Sequence, residues 1–284
     1  MSPLSRQAAW RVAAIATPAW IPDSETAWRH RLEALVTEAA DGGARLVVFG
    51  EYITASLLAL DPHWERWTKT WQTFATEVAQ RHALSVCAGT HLVQAGKHIY
   101  NRCAMAAPDG SLRFQDKLHP TPWERDHVTA THHLQSFIID GVRTAVLICY
   151  DSEFPEAARA AALAGVELLL VPSWTDDCAG FMRVRRCAAA RCVENSCAVV
   201  HAPLVGGVPS VSGFETAAGS AAVLTPCDDG FPSDGIAAES AWNQPHVAIG
   251  DIDLARLRAA RTAGTVTPLT DFRPLSAYTV LPPT

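Results

Sequence analysis

Residues 142–174 read VRTAVLICYDSEFPEAARAAALAGVELLLVPSW, and the fold is decided in this stretch. The apolar run Val146-Leu147-Ile148 ends on Cys149-Tyr150-Asp151; Phe154-Pro155-Glu156 follows, then a small-residue segment from Ala157 to Ala164 closed by Gly165. That order is strand, tight turn, helix. Pro155 suits the first helical position, where its missing N–H costs nothing, Glu156 complements the positive helix start, and Gly165 can take the left-handed position past the helix end. Leu168-Leu169-Leu170-Val171 reads as a second buried strand, because a continuous apolar run between Gly165 and Pro172 fits a sheet covered on both faces. A cysteine between a strand and a helix N-terminus is expected to meet aligned N–H groups that favour its thiolate, which makes Cys149 a candidate nucleophile. The competing reading is a buried packing cysteine.

The same pattern recurs upstream. Val12 to Ala16 is a short strand, Pro18 and Pro22 fall in a loop, and Asp23 or Ser24 can cap a helix running to about Ala40, with Trp28, Leu32, Leu35 and Val36 at helical spacing and Gly42-Gly43 as its stop. Leu46 to Phe49 is then a buried strand that ends on Gly50-Glu51-Tyr52, an acid at a strand end that needs either a partner or a function. Gly43 to Gly50 parallels Gly165 to Pro172, each following an amphipathic helix, so two strand-helix-strand halves with two sheets are expected in one domain. Asp61-Pro62 reads as a helix start with the aromatic stripe Trp64, Trp67, Trp71 and Phe74 as core. Strands are expected over Leu84 to His91 and His98 to Ala107, and Leu112 to Lys117 alternates as a strand that ends on lysine.

Of 23 basic residues, only Lys69, Lys97 and Lys117 are lysines, so a retained lysine at a strand end points to a need for a compact, titratable ammonium. Lys117 to His133 is a polar loop whose histidines, His119, His127, His132 and His133, match no metal-ligand spacing, and no metal or cofactor is expected. Cys187, Cys192 and Cys197 read as packing. A helix over roughly 181–194 carries Arg183, Arg185, Arg186 and Arg191, read as a solvated or subunit-facing surface. Ala198 to His201 and Ala221 to Leu224 are strands separated by a glycine-rich loop over 205–219. Cys227 to Gln244 is a long acidic loop, His246 to Ile252 a final strand, and a short helix runs to Ala263.

Composition excludes several classes. A net charge of −6 gives no reason to expect nucleic acid, and no run of apolar residues is long enough for a membrane span. Met1 to Gln7 lacks the apolar core of a secretory signal, and eight cysteines without such a signal point to reduced thiols, so a soluble cytoplasmic protein is expected. The division expected is one domain over 1–264 and a C-terminal tail over 265–284 packed on that domain or on a partner subunit.

Three strand ends thus carry Glu51, Lys117 and Cys149, a set that would work as base, oxyanion-stabilising cation and nucleophile if the three meet. Spacing alone leaves that meeting open. Across nearly its whole length the chain resembles the carbon-nitrogen hydrolase family, also called the nitrilase superfamily. The resemblance rests on Leu46-Val47-Val48-Phe49-Gly50-Glu51, on Lys117-Leu118-His119 with Glu124 seven residues after the lysine, and on Ile148-Cys149-Tyr150-Asp151 followed by Phe154-Pro155-Glu156. Val171-Pro172-Ser173 and Arg191-Cys192-Val193-Glu194-Asn195 match as well. Gly50 departs from the family, which commonly has proline there.

This resemblance implies an α/β fold, an α-β-β-α sandwich of two mixed sheets, usually paired through helical faces into a homodimer or higher homo-oligomer. It implies Cys149 as nucleophile, Glu51 as general base and acid, Lys117 as oxyanion stabiliser with the Tyr150 N–H, and Glu124 as a second carboxylate ordering the site. It also implies a small amide as the substrate partner, with no cofactor. Cys149-Tyr150-Asp151 looks like the amidase and carbamoyl-hydrolase branches, whereas nitrile-cleaving members usually show Cys-Trp-Glu. Members acting on carbamoyl amino acids often place arginine four residues after the cysteine; here that residue is Glu153, so an anionic substrate is expected to be disfavoured and a neutral or amine-bearing amide preferred, unless Glu153 pairs with a nearby arginine. Tyr52 and Trp174 are candidate pocket walls. Nitrile hydrolysis, acyl transfer to an amine and a silent scaffold are the alternatives.

Overall fold

A computed structural model describes residues 9–280; the readings of Met1 to Gln7 and of the last four residues lie outside it. In chain order the elements are β1 (Trp10–Ala19), α1 (Glu25–Asp41), β2 (Leu46–Val48), α2 (Thr68–His82), β3 (Ser85–Ala95), β4 (His98–Ala106), β5 (Leu112–Asp116), β6 (Ser136–Ile139), β7 (Val142–Val146), α3 (Pro155–Leu163), β8 (Leu168–Ser173), α4 (Cys178–Asn195), β9 (Ala198–Gly206), β10 (Ala222–Leu224), β11 (Ile236–Glu239), β12 (His246–Ile252) and α5 (Leu254–Ala263).

Two mixed sheets form, with helices outside them, giving the α-β-β-α arrangement. Alternation along the strands separates the layers. Val12, Ala14 and Ala16 of β1, with Leu46 and Val48 of β2, join the core that includes the second sheet. Ala13, Ile15, Val47 and Phe49 instead face Trp28, Leu32 and Val36 of α1 and Trp71, Phe74 and Val78 of α2. On the other side Ala158 and Ala161 of α3 and Val184, Ala188 and Cys192 of α4 pack on the second sheet. Ser24 caps α1 by accepting from Ala27 N, Asp177 caps α4 by accepting from Gly180 N, and Pro155 opens α3.

The two sheets are one hydrogen-bonded path, β5-β4-β3-β2-β1-β9-β8-β7-β6, because β1 serves both. Its residues Trp10 to Ala16 pair with β12, and Thr17 to Ala19 pair with β9. Pro18 therefore lies inside a strand rather than in the expected loop. It is tolerated because β1 has a single neighbour there, so the missing N–H breaks no second ladder. Strands β1, β2 and β3 run parallel, as do β7, β8 and β9, and β5 regains their direction through two antiparallel steps. Glu51, Lys117, Cys149 and Trp174 consequently all follow the carboxyl ends of like-directed strands, the edge where α/β sheets gather their ligands.

Other expectations need correcting. The helix expected from Asp61-Pro62 begins at Thr68, after a 3-10 turn over Trp64–Trp67. The acidic loop 227–244 contains β11, which pairs with β10. Helix α4 is not a uniformly polar face. Arg183 and Arg186 are exposed, but Arg185 and Arg191 are buried, the first donating to Ser220 O and the second to Ser152 O. Gly50 is also explained. A Cβ there would come within 2.7 Å of the Pro203–Leu204 backbone, and its N–H donates to Thr17 Oγ1 at 2.8 Å, a bond proline could not make.

Candidate active site

Cys149 follows β7 after Leu147 and Ile148, and opens a 3-10 turn over Cys149–Glu153; α3 begins only at Pro155. The helix N-terminus is therefore too far along the chain to do what was expected of it. Burial and the neighbouring charge of Glu51 push the Cys149 thiol well above its ordinary range, against a smaller opposite effect of Lys117, and its Sγ donates to Trp174 O at 3.4 Å. A thiol held neutral in this way needs an adjacent base before it can attack. Both Cys149 (φ 47°) and Tyr52 (φ 54°) adopt the left-handed backbone region. Non-glycine residues pay about 1–3 kcal/mol for that, a cost that clusters at functional sites. Here it turns the chain sharply after two strand ends.

Glu51, Lys117 and Glu124 meet beneath Cys149, each only 1% exposed. Lys117 Nζ donates to Glu51 Oε1 at 2.7 Å and to Glu124 Oε2 at 2.6 Å. Burial alone would strip the proton from this lysine, but the two carboxylates outweigh it and hold the ammonium above its ordinary value. Glu124 goes the other way. Burial opposes its charge, yet Lys117, the Tyr52 hydroxyl and Thr121 N–H stabilise it and bring it down to about 2. Glu51 is raised to about 7, first by burial and then by Glu124, with Lys117 pulling against them. One carboxylate stays ionised and the other titrates near neutrality, a division that would suit an ordering group and a proton carrier. The second oxygen of Glu51 accepts from Trp174 N–H at 3.1 Å.

Two residues that the sequence reading gave no role complete the arrangement. Asn101 on β4 donates from Nδ2 to Glu51 Oε1 at 2.8 Å and to Glu124 Oε1 at 2.9 Å, bridging the two acids from the side away from Lys117's second contact. Its only sequence signal was a polar residue among those that alternate toward the interior of the strand. Asp151, wholly buried, accepts from Ile148 N at 3.0 Å, Leu118 N at 3.2 Å and His119 N at 2.7 Å. Ile148 precedes Cys149 and Leu118 follows Lys117, so one carboxylate ties the peptides beside Cys149 to those beside Lys117.

A cavity of about 460 Å³ opens over Cys149, and Tyr150, Glu153 and Trp174 line it with Trp123 and Arg183. Tyr52 does not line it, contrary to expectation. Its left-handed backbone turns the ring against Trp123, Trp174 and Phe214, and its hydroxyl donates to Glu124. It therefore supports the walls and the ordering carboxylate. Among the described residues no group of three or more His, Cys, Asp or Glu gathers in a metal-binding arrangement, and no helix is long and apolar enough to cross a membrane.

The family model for carbon-nitrogen hydrolases matches residues 11–262. The chain is 34% identical over 255 residues to the probable hydrolase YhcX of Bacillus subtilis, covering 86% of this chain and 50% of that protein. It is 31% identical over 192 residues to an (R)-stereoselective amidase of Pseudomonas sp, covering 68% and 65%. The chain thus spans one half to two thirds of the length of these relatives. Among solved structures, a double mutant of the amidase from Nesterenkonia sp. AN1 in complex with acrylamide superposes with a TM-score of 0.75 at 18% identity, covering 96% of this chain and 97% of that one, a likeness of fold.

Proposed function

The chain belongs to the carbon-nitrogen hydrolase family, and from that premise we propose that it hydrolyses the C–N bond of a small linear amide or N-carbamoyl compound through a thioester on Cys149. The observation that carries this reading is the ion pair of Glu51 with Lys117 buried beneath Cys149, which itself lines the cavity, with the charge of each acting on the others. Glu51 takes the thiol proton as Sγ attacks the carbonyl carbon. The ammonium of Lys117 and the N–H of Tyr150 hold the negative oxygen that develops. Glu51 returns its proton to the departing nitrogen, which leaves as ammonia or amine when the C–N bond breaks. Water, deprotonated by Glu51, then cleaves the thioester, and the released thiolate regains a proton. Glu124, fixed by Lys117, Asn101, Tyr52 and Thr121, keeps Lys117 in place. The amidase named among the relatives, and tyrosine after the nucleophile, favour amides over nitriles.

The reading is tested by ammonia release from a panel of small amides, N-carbamoyl amines and nitriles. Amides or carbamoyl compounds are expected to turn over and nitriles to lag; a panel in which only nitriles reacted would refute it. Because Glu51 acts as base and is raised to about 7, kcat/KM is expected to fall as pH drops below 7 and its carboxylate takes up a proton, and to level off above 7. A profile flat down to pH 5 would mean that the base is another group.

Asp151→Asn is expected to lower kcat about 100-fold, since the amide places an NH2 against backbone N–H groups and loosens the peptides that hold Lys117 and Cys149 in register. Rate per folded molecule, with the folded fraction read from a thermal melt, is the informative readout, with KM little changed. A variant that merely folded less well would lose folded fraction and keep its rate per folded molecule.

A further inference from the structure

The mouth of the cavity carries two opposite charges that remain open to a ligand. Glu153 is the last residue of the turn that begins at Cys149, Arg183 comes from α4, and both line the cavity over the thiol. Arg183 Nε lies 3.8 Å from Glu153 Oε1, the longest ion pair among the described residues and too long for a hydrogen bond. Several arginines elsewhere close on both carboxylate oxygens: Arg11 reaches Asp251 at 2.7 and 2.9 Å, Arg45 reaches Asp140 at 2.6 and 2.9 Å, and Arg102 reaches Asp116 at 2.6 and 2.8 Å. Another guanidinium near Glu153, that of buried Arg191, is committed elsewhere. It donates to Ser152 O at 3.0 Å, to Glu153 O at 3.4 Å and to Glu194 at 2.6 Å. The backbone of Glu153 is thereby pinned beside Cys149, while its carboxylate has no hydrogen bond among the described residues.

We infer that Glu153 and Arg183 form a seat for an ammonium and a carboxylate together, so that the preferred substrate is an amide whose far end is an amino acid head group. This rests on the amide-hydrolase reading and names its substrate class. An amino acid head carries its two charges on one carbon, a separation that matches an open pair of protein charges. Its carboxylate can take two donors of the planar guanidinium, and its ammonium can meet Glu153. A substrate with an ammonium alone leaves Arg183 facing a like charge, and one with a carboxylate alone faces Glu153. Asp176 and Glu215 also line the cavity and add to the pull on the ammonium. Trp123, Trp174 and Val184 supply apolar wall for the methylenes between head group and amide.

The test is ammonia release from matched primary amides: glutamine, γ-aminobutyramide, glutaramate and butyramide, which share one chain and differ in carrying both charges, the cation, the anion or neither. Glutamine is expected to exceed the best of the others roughly tenfold in kcat/KM. Arg183→Gln is expected to move γ-aminobutyramide to the top of the ranking, and Glu153→Gln to move glutaramate there. The inference is overturned if butyramide or a singly charged amide matches glutamine in the unaltered protein, or if both variants keep the original order. If none of the four released ammonia the inference would also fall; a thioester on Cys149 formed from another amide would then leave the hydrolase reading standing, and its absence with every amide would remove both.

Discussion

Cys149→Ala is expected to abolish amide turnover, a loss of about a million-fold, as befits removal of a nucleophile whose partners cannot act without it. Glu51, Lys117 and Glu124 would remain in their mutual contacts, because the hydrogen bonds that join them run through Lys117 Nζ and not through Sγ. The thiol's own bond is a long one to Trp174 O. Alanine must adopt the same left-handed backbone as cysteine, so the substitution adds no new strain, and the melting temperature is expected to stay within a few degrees. Ammonia release together with a thermal melt therefore separates chemistry from folding. An alanine variant that kept a hundredth of the rate would point to water, not sulfur, as the attacking group.

Lys117→Met should combine a large loss of rate with a large loss of stability. The methionine matches the lysine stem in bulk but leaves Glu51 and Glu124 as buried carboxylates without their shared cation, and breaking a buried pair this way costs about 3–5 kcal/mol. Loss of an oxyanion donor costs about 100- to 1000-fold in kcat. A second rate effect follows from sign. Lys117 is the largest influence lowering Glu51, so without it Glu51 rises from about 7 and is protonated at neutrality, unable to act as base. The acid limb of the pH profile is expected to move upward. Adding Glu124→Gln removes one stranded charge and should recover much of the melting temperature without recovering kcat. If stability and rate returned together, Lys117 would be a structural tie and not an oxyanion stabiliser.

Much of this was legible in the sequence because it depends on local order. The cap at Ser24, Pro155 at the first position of α3 and the apolar runs before Glu51 and Cys149 each report on neighbours a few residues away, and each appears where expected. What stayed hidden depends on contacts between distant segments. Asn101 joins two acids that lie 50 and 23 residues away, and Asp151 reaches back more than 30 residues to the loop after Lys117. The direction of Tyr52 is set by a left-handed backbone that no hydrophobic pattern signals. Arg185 and Arg191 read as surface because the distant acceptors that hold them inside, Ser220 O and Ser152 O, are backbone carbonyls, and carbonyls leave no mark in composition. The thiol was misjudged for a related reason. A nearby helix was visible in the sequence, whereas full burial beside Glu51 was not, and burial dominates.

The most direct measurement is the intact mass of the protein, quenched in acid during turnover of a small primary amide, followed by peptide mapping. The account predicts a mass increase equal to the acyl group, with the amide's nitrogen lost, carried on the peptide that contains Cys149 and cleaved by hydroxylamine. Steady ammonia release with no acyl group on Cys149 under quench conditions that preserve thioesters, or an acyl group on a different residue, would contradict it.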